Sequence, residues 1–315
     1  MGTERISSAS LPALLAFAAC LALGPSPAAA EGIGVVLLHA GSSWPGEFDR
    51  LRPQLEEAGY AVETPETCWA VHRLYGGTVD ACLIDIDAAI AGLRQEGNDT
   101  IFLAGHDLGA LNALYYADSH PELAGVVVWG PRRGGRGGSN VDVETATRLM
   151  NAGAGDKRAD FSNGYVYSTP RALLSFRGPD SPLADEAELL TSLPVPLLWI
   201  DSNDSIGPRD PTPRFNMAPA NALNTFIRSA TDHFNMVYRS ADDVVAWVGR
   251  VQAASRQQPT KRGAPAGALR SRDGDERFQL GGASIERGGC RATACAIDPT
   301  DQAVDQIGTP RFLVL

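Results

Sequence analysis

Histidine and cysteine are scarce in this chain, which has five of each among 315 residues. It contains no HExxH motif and no paired CxxC motifs, so we expect neither a metal nor another cofactor. An excess of basic residues is also lacking: 27 Lys and Arg stand against 37 Asp and Glu, a formal net charge of −10. A protein surface with this net negative charge repels phosphate backbones, which argues against a nucleic-acid partner. The 44% hydrophobic and 20% charged residues are typical of a globular protein.

The N-terminal thirty residues have the pattern of a secretory leader. Arg5 precedes an apolar run over residues 11–23, and small residues follow up to Ala30. We predict a signal peptide over residues 1–30 that is cleaved after Ala30, which makes the mature protein secreted or periplasmic. A lipoprotein site at Cys20 is a weaker alternative. No later stretch reaches eighteen apolar residues, so no membrane span is predicted.

Export changes how the remaining cysteines are interpreted. Removal of the leader leaves four of them, which allow three pairings. In an oxidising compartment the simplest pairing is local, Cys68 with Cys82 and Cys290 with Cys295. Zinc binding by these cysteines is the competing interpretation, but no histidine lies beside any of them.

Strand and helix patterns alternate from residue 32 to about residue 254. Residues 35–38 and 101–104 are continuous apolar runs, which predict strands that are buried on both faces. Residues 48–58 predict a helix, and from Val79 apolar residues recur at the spacing of one helix face. The alternation predicts an α/β fold, in which helices cover both faces of a mostly parallel sheet.

The predicted domain covers residues 31–255 and contains one irregular segment. Residues 131–193 are rich in Gly, Arg and Asp, with weak helical patterns, and predict a small lid-like excursion over the sheet. After residue 255 the periodicity disappears. We therefore predict a disordered tail over residues 256–315.

A tight turn between a strand and a helix is the most informative motif. The apolar run 101–104 is followed by Gly105-His106-Asp107-Leu108-Gly109, and a helical pattern begins at once. This has the form of a nucleophile elbow, with aspartate at the position where the commoner G-x-S-x-G motif has serine. Flanking glycines let the two backbones approach closely, and aspartate tolerates a positive φ.

Three further segments follow in the order that an elbow enzyme needs. Backbone N–H groups near Gly41 or Ser42, together with that of Leu108, predict an oxyanion hole. His233 lies beyond a late strand and is the candidate base. Asp204, which follows another strand, is the preferred acid to orient it. The alternative acids are Asp201, which nearly continues that strand, and Asp142.

Through these residues the chain resembles the α/β-hydrolase superfamily over residues 32–254, nearest to small secreted bacterial hydrolases that carry serine at the elbow. Its Gly-His-Asp is similar to the elbow of haloalkane dehalogenases and epoxide hydrolases. It departs from those enzymes at Leu108, where they have an aromatic residue or arginine, and at Ala40, which replaces a glycine. The resemblance implies a hydrolase of small organic substrates with Asp107, Asp204 and His233 as its triad.

An aspartate at the elbow implies chemistry different from that of serine. It is ionised at neutral pH and can attack an sp³ carbon directly, after which His233 would activate water to cleave the resulting ester. By position alone, Tyr165, Tyr167 and Trp44 are candidates to stabilise the leaving group. The alternative functions are a catalytically silent hydrolase-like binding protein and an esterase-family member whose serine has been replaced.

Overall fold

Six parallel strands form the central sheet of the protein. The computed structural model of the chain describes residues 32–131, 140–162, 166–203 and 210–257. The sheet has the strand order β2-β1-β3-β4-β7-β8, and every neighbouring pair is parallel. Its strands are β1 (Ile33–Leu38), β2 (Ala61–Glu63), β3 (Thr100–His106), β4 (Gly125–Trp129), β7 (Leu197–Ser202) and β8 (Thr225–Ser229).

Helices cover both faces of this sheet, so the predicted fold class is confirmed. One core contains buried side chains of α2 (Val79–Gln95) and α3 (Leu108–Asp118), and the other contains those of α1 (Arg52–Glu57) and α9 (Ala241–Gln257). Two short helices lie between β7 and α9, namely α7 (Thr212–Phe215) and α8 (Met236–Arg239).

Alternation along each strand divides the apolar residues between the two cores. In β3, Leu103 belongs to the core with α2 and α3, whereas Phe102 packs against Trp247 of α9 with ring centroids 5.8 Å apart. Successive strand side chains point to opposite faces, so an apolar run fills both cores at once. The four central strands are therefore almost wholly buried.

The chain between β4 and β7 forms the excursion that the sequence predicts. It contains α4 (Asn140–Asn151), α5 (Pro170–Arg177) and α6 (Glu186–Thr191). It also contains an antiparallel pair of strands that the sequence pattern does not predict, β5 (Ala159–Phe161) with β6 (Val166–Ser168). Buried residues of the excursion, including Phe161 and Phe176, join the core of α2 and α3. It is thus packed onto one face of the sheet.

Several sequence predictions differ from the structure or fall outside the described residues. The predicted helix 48–58 is a 3₁₀ turn at Pro45–Phe48 followed by the shorter α1, which has a proline in its first turn. The predicted leader lies outside the described residues, as does all of the predicted tail beyond Gln257.

A disulfide joins Cys68 to Cys82, with their Cα atoms 5.5 Å apart, so this predicted pairing is confirmed. Cys290 and Cys295 lie outside the described residues. Over the part of the chain that is described, no helix is both long enough and apolar enough to span a bilayer.

Candidate active site

The elbow is a strand–turn–helix unit, as the motif predicts. β3 ends at His106, α3 begins at Leu108, and Asp107 lies between them with φ +54° and ψ −112°. A Cβ atom on Gly105 would overlap the carbonyl of Gly109, and one on Gly109 would overlap the carbonyl of Leu38. The two glycines therefore allow the strand, the helix and β1 to meet, and the strained turn presents Asp107 at the end of the sheet.

One oxygen of the Asp107 carboxylate faces the predicted oxyanion donors. The N–H of Gly41 donates to Oδ2 of Asp107 at 3.4 Å. The N–H of Leu108 also interacts with this carboxylate. Ser42 is not available for this purpose, because its N–H donates to the carbonyl of Trp69 at 3.2 Å. Of the two predicted loop donors, the N–H of Gly41 is the one that points toward the elbow.

The other oxygen of Asp107 faces His233. The imidazole Nε2 lies 3.8 Å from Oδ1, an ion-pair distance, and about a tenth of each side chain is exposed to solvent. His233 follows β8 in a turn that is fixed by Asp232, whose Oδ1 accepts the N–H groups of Phe234 and Asn235 at 3.0 Å each. Residues 126 positions apart in sequence thus meet at the carboxyl edge of the sheet.

The surroundings keep Asp107 ionised. Burial alone would raise the pKa of its carboxyl group, but contact with His233, the charges of His106 and His233, and the Leu108 N–H outweigh that effect. The pKa of Asp107 is therefore held below its ordinary value. A carboxylate with a lowered pKa is available as a nucleophile at neutral pH.

The acid partner of His233 is not found among the described residues. His233 Nδ1 is buried and has no hydrogen-bond partner within them. Asp201 lies inside β7, where its carboxylate accepts the indole N–H of Trp199 at 3.2 Å and the N–H of Ser202 at 2.8 Å. Asp204, the preferred acid, lies outside the described residues.

Asp142, the third candidate acid, is used within the excursion. Its carboxylate accepts the N–H of Ser162 at 2.8 Å and the hydroxyl of the same residue at 2.5 Å. It also pairs with Arg177 at 3.5 Å. These bonds tie α4 to α5 and give Asp142 a structural role.

A second acid–imidazole pair, which the sequence motifs do not predict, lies beside the elbow. Glu47 Oε1 is in close hydrogen-bond contact with Nδ1 of His106. The ring centroids of His106 and His233 are 4.5 Å apart. Burial would raise the pKa of Glu47, but its hydrogen bond to His106 and the charge of that ring hold the pKa below the ordinary value. No motif marks Glu47, because its partner is 59 residues away.

His39 has a structural role at the end of β1. Its Nδ1 lies 2.8 Å from the Ala40 carbonyl and its Nε2 lies 2.8 Å from the Thr67 hydroxyl. The indole N–H of Trp69 donates to the His39 carbonyl at 3.0 Å. Burial lowers the pKa of His39, which favours the neutral ring. These contacts brace the loop that carries Gly41.

The predicted leaving-group donors that the structure describes, Trp44 and Tyr167, are exposed and make no hydrogen bond to Asp107 among the described residues. Trp44 is 53% exposed, and Tyr167 is 40% exposed with Arg158 over its ring. Tyr165 lies outside the described residues. Across the described ranges, no cluster of three or more His, Cys, Asp or Glu side chains is arranged to hold a metal ion.

The model of the alpha/beta hydrolase family matches residues 35–273, which include the elbow and the His233 turn. The chain belongs to the alpha/beta hydrolase family. It is accordingly a hydrolase with the α/β-hydrolase fold, as the resemblance implied. No curated protein matches the chain significantly.

Solved structures share the fold of this family member at low sequence identity. A structure of LipS and LipT, two metagenome-derived lipolytic enzymes, is 20% identical over 72% of this chain and 95% of that chain, with a TM-score of 0.52. A monoacylglycerol lipase of Paleococcus ferrophilus is 18% identical over 69% of this chain and 94% of that chain, with a TM-score of 0.54. At such identities the likeness shows the fold alone.

Proposed function

We propose that the mature protein is an exported hydrolase that attacks small organic substrates with Asp107. The observation that carries the proposal is the orientation of its carboxylate, in which Oδ2 faces the Gly41 N–H and Oδ1 faces His233. This arrangement supplies a nucleophile, an oxyanion site and a base around one carboxyl carbon.

The first step is displacement at an sp³ carbon. The ionised Asp107 forms a C–O bond through one carboxylate oxygen, and the leaving group departs with the electron pair of the bond that breaks. The product is an alkyl ester of Asp107. No proton has to be removed from the nucleophile, because its lowered pKa keeps it ionised.

The second step is hydrolysis of that ester. His233 takes a proton from water, and the resulting hydroxide adds to the carboxyl carbon of Asp107. The negative charge that develops on the carbonyl oxygen is stabilised by the N–H groups of Gly41 and Leu108. Collapse of this intermediate expels the alcohol, which takes the proton from His233. The carboxyl group of Asp107 then holds one oxygen from water, and it becomes a carboxylate again by releasing its hydroxyl proton to solvent.

We propose Asp204 as the acid that orients His233. His233 Nδ1 lies beside Gly130, which directly follows β4, so an acid in a loop after β4 or after the neighbouring strand β7 is well placed to bind it. Residues 132–139, which follow β4, contain no acid, whereas Asp204 comes two residues after β7. Asp204→Asn should therefore reduce turnover by about 10³-fold or more. Asp201→Asn is the matched comparison. A larger loss of turnover in Asp201→Asn than in Asp204→Asn would assign the role to Asp201.

In the second candidate function, the chain is a protein with the fold of an esterase whose elbow residue no longer supports catalysis. Two observations favour keeping it: two of the solved structures of similar fold are of lipolytic enzymes, and the Asp107 carboxylate already accepts the N–H of Gly41. In that case Asp107→Ser would hydrolyse p-nitrophenyl esters while the wild-type chain hydrolysed no ester, epoxide or haloalkane.

Isotope transfer from water tests the aspartate route. The protein, in excess over styrene oxide or 1-bromohexane, is allowed one turnover in ¹⁸O-water, and the peptide that contains Asp107 is analysed by mass spectrometry. We expect a gain of one ¹⁸O atom at Asp107 and none in Asp107→Asn. Product formation without label in Asp107 would show that water attacks the substrate directly and that no ester of Asp107 forms.

A further inference from the structure

Glu47 connects the oxyanion loop to the imidazole cluster. It lies in the 3₁₀ turn Pro45–Phe48, and its side chain is 15% exposed. Its Oε2 accepts the N–H of Ala40 at 3.0 Å, while its Oε1 contacts Nδ1 of His106. One carboxylate thus holds a backbone N–H of the loop after β1 and a side chain at the end of β3.

Among the described residues, the ring of His106 has one hydrogen-bond partner, the carboxylate of Glu47. It is fully buried, and its Nε2 has no hydrogen-bond partner among the described residues. Its neighbours are His233, with ring centroids 4.5 Å apart, and Phe234, at 6.1 Å. The bond to Glu47 therefore fixes the plane against which the His233 ring packs.

These contacts close into a ring around the elbow. Ala40 donates to Glu47, and the next residue, Gly41, donates to Oδ2 of Asp107. On the other side, His106 packs on His233, whose Nε2 faces Oδ1 of Asp107. Glu47 thereby links the consecutive N–H groups of Ala40 and Gly41 to the neighbouring imidazoles of His106 and His233.

We propose that Glu47 is a positioning residue of the catalytic site. Its carboxylate fixes the position of the Gly41 N–H by binding Ala40, and it fixes the position of the His233 ring by binding His106. This inference rests on the proposed function, because ester hydrolysis needs the oxyanion site and the base at the same moment. The preceding displacement by Asp107 needs no base, so Glu47 acts mainly on the second step.

The kinetic test compares Glu47→Gln and Glu47→Asp with Glu57→Gln, an exposed residue of α1. With styrene oxide and 1-bromohexane as probes, rapid quenching and intact-mass measurement separate ester formation from ester hydrolysis. We expect Glu47→Gln to slow hydrolysis by about tenfold or more, so that the Asp107 ester accumulates. Ester formation should change by less than about threefold. Glu47→Asp, which keeps the charge, should recover part of the rate, and Glu57→Gln should match wild type.

A second measurement needs no substrate. Hydrogen exchange by mass spectrometry reports the N–H groups of residues 39–43, which Glu47 holds through Ala40. In Glu47→Gln we expect exchange in this segment to accelerate by about tenfold or more, with no change in the peptides of α9. Near-UV circular dichroism checks that each variant is folded. If Glu47→Gln is not folded, both measurements are made on Glu47→Asp instead.

The two measurements separate failure of this inference from failure of the proposed function. Unchanged exchange and unchanged ester hydrolysis in Glu47→Gln would overturn the positioning role. Equal slowing of both chemical steps would also overturn it. If the wild-type chain forms no ester with either probe, the proposed function fails, and the exchange rates alone decide whether Glu47 holds the oxyanion loop.

Discussion

Gly130 is the residue on which the position of His233 depends most directly. It directly follows β4 and has φ +47°, a conformation that L side chains rarely adopt. A Cβ atom placed on it would lie 2.8 Å from both Nδ1 and Cε1 of His233, and 2.7 Å from the terminal methyl of Met236. The imidazole can pack at the edge of the sheet because this residue has no side chain.

Substitution of Gly130 by alanine should therefore impair both catalysis and stability. We expect turnover to fall by about tenfold or more, because the ring has to move away from Asp107. The free energy of unfolding should fall by about 1–3 kcal/mol, the cost of a strained backbone together with a close contact. Single-turnover kinetics and urea denaturation measure the two effects.

Gly249→Ala is the matched control for this experiment. Gly249 lies within α9, and a Cβ atom there would have no neighbour within 4 Å. Alanine in a helix interior should leave activity unchanged and stabilise the protein by about 0.5–1 kcal/mol. A Gly130→Ala variant that behaved like this control would show that the His233 turn does not depend on Gly130.

At the scale of elements, the segment between β2 and α2 supports the oxyanion loop. Trp69 accepts the Ser42 N–H and donates its indole N–H to His39, and the Val71 N–H donates to the Ser43 carbonyl at 2.8 Å. The excursion packs against the same segment, since Phe176 contacts both Trp69 and Tyr75 edge-on. The Cys68–Cys82 disulfide fastens this segment to α2.

Removal of that disulfide should destabilise the fold and weaken the oxyanion site. For Cys68→Ala/Cys82→Ala we expect the free energy of unfolding to fall by about 2–4 kcal/mol, because the bond constrains the unfolded chain. Turnover should fall as well, because Ser42 and Ser43 are held by this segment. Cys290→Ala/Cys295→Ala is the control pair. Equal urea midpoints for the first pair and wild type would contradict the expectation.

At the scale of the whole molecule, leader and disulfide point to the same compartment. The leader pattern of residues 1–30 predicts export, and a buried disulfide is typical of proteins that fold in an oxidising compartment. Export therefore remains our proposal for this chain, and it rests on two independent features.

Expression of the full chain in a bacterium with an oxidising periplasm tests export. We expect the mature protein to begin at Glu31, and its intact mass to show Cys68 and Cys82 oxidised. A form that begins at residue 31 but is made without its leader in a reducing cytosol should label at both thiols under denaturing conditions. Recovery of the full chain with its leader in the cytosolic fraction would contradict the proposal.

The amino-acid sequence is sufficient to predict the features of this protein that depend on local pattern. Apolar runs such as 101–104 predicted buried strands, and glycines on both sides of Asp107 predicted a turn that other residues could not form. The local pairing of Cys68 with Cys82, preferred as the simplest of three in an oxidising compartment, is confirmed. Such features are local because backbone sterics and side-chain periodicity act over a few residues.

The remaining contacts around the carboxylate of Asp107 depend on how segments that are distant in sequence pack together. Glu47 and His106 are 59 positions apart, and Gly41 and Asp107 are 66 positions apart. Parallel strands with helical crossovers bring these residues to one edge of the sheet, and no local pattern records which of them meet there. The choice of Gly41 over Ser42 likewise follows from the bond that Ser42 makes to Trp69, a residue contributed by the segment that follows the next strand.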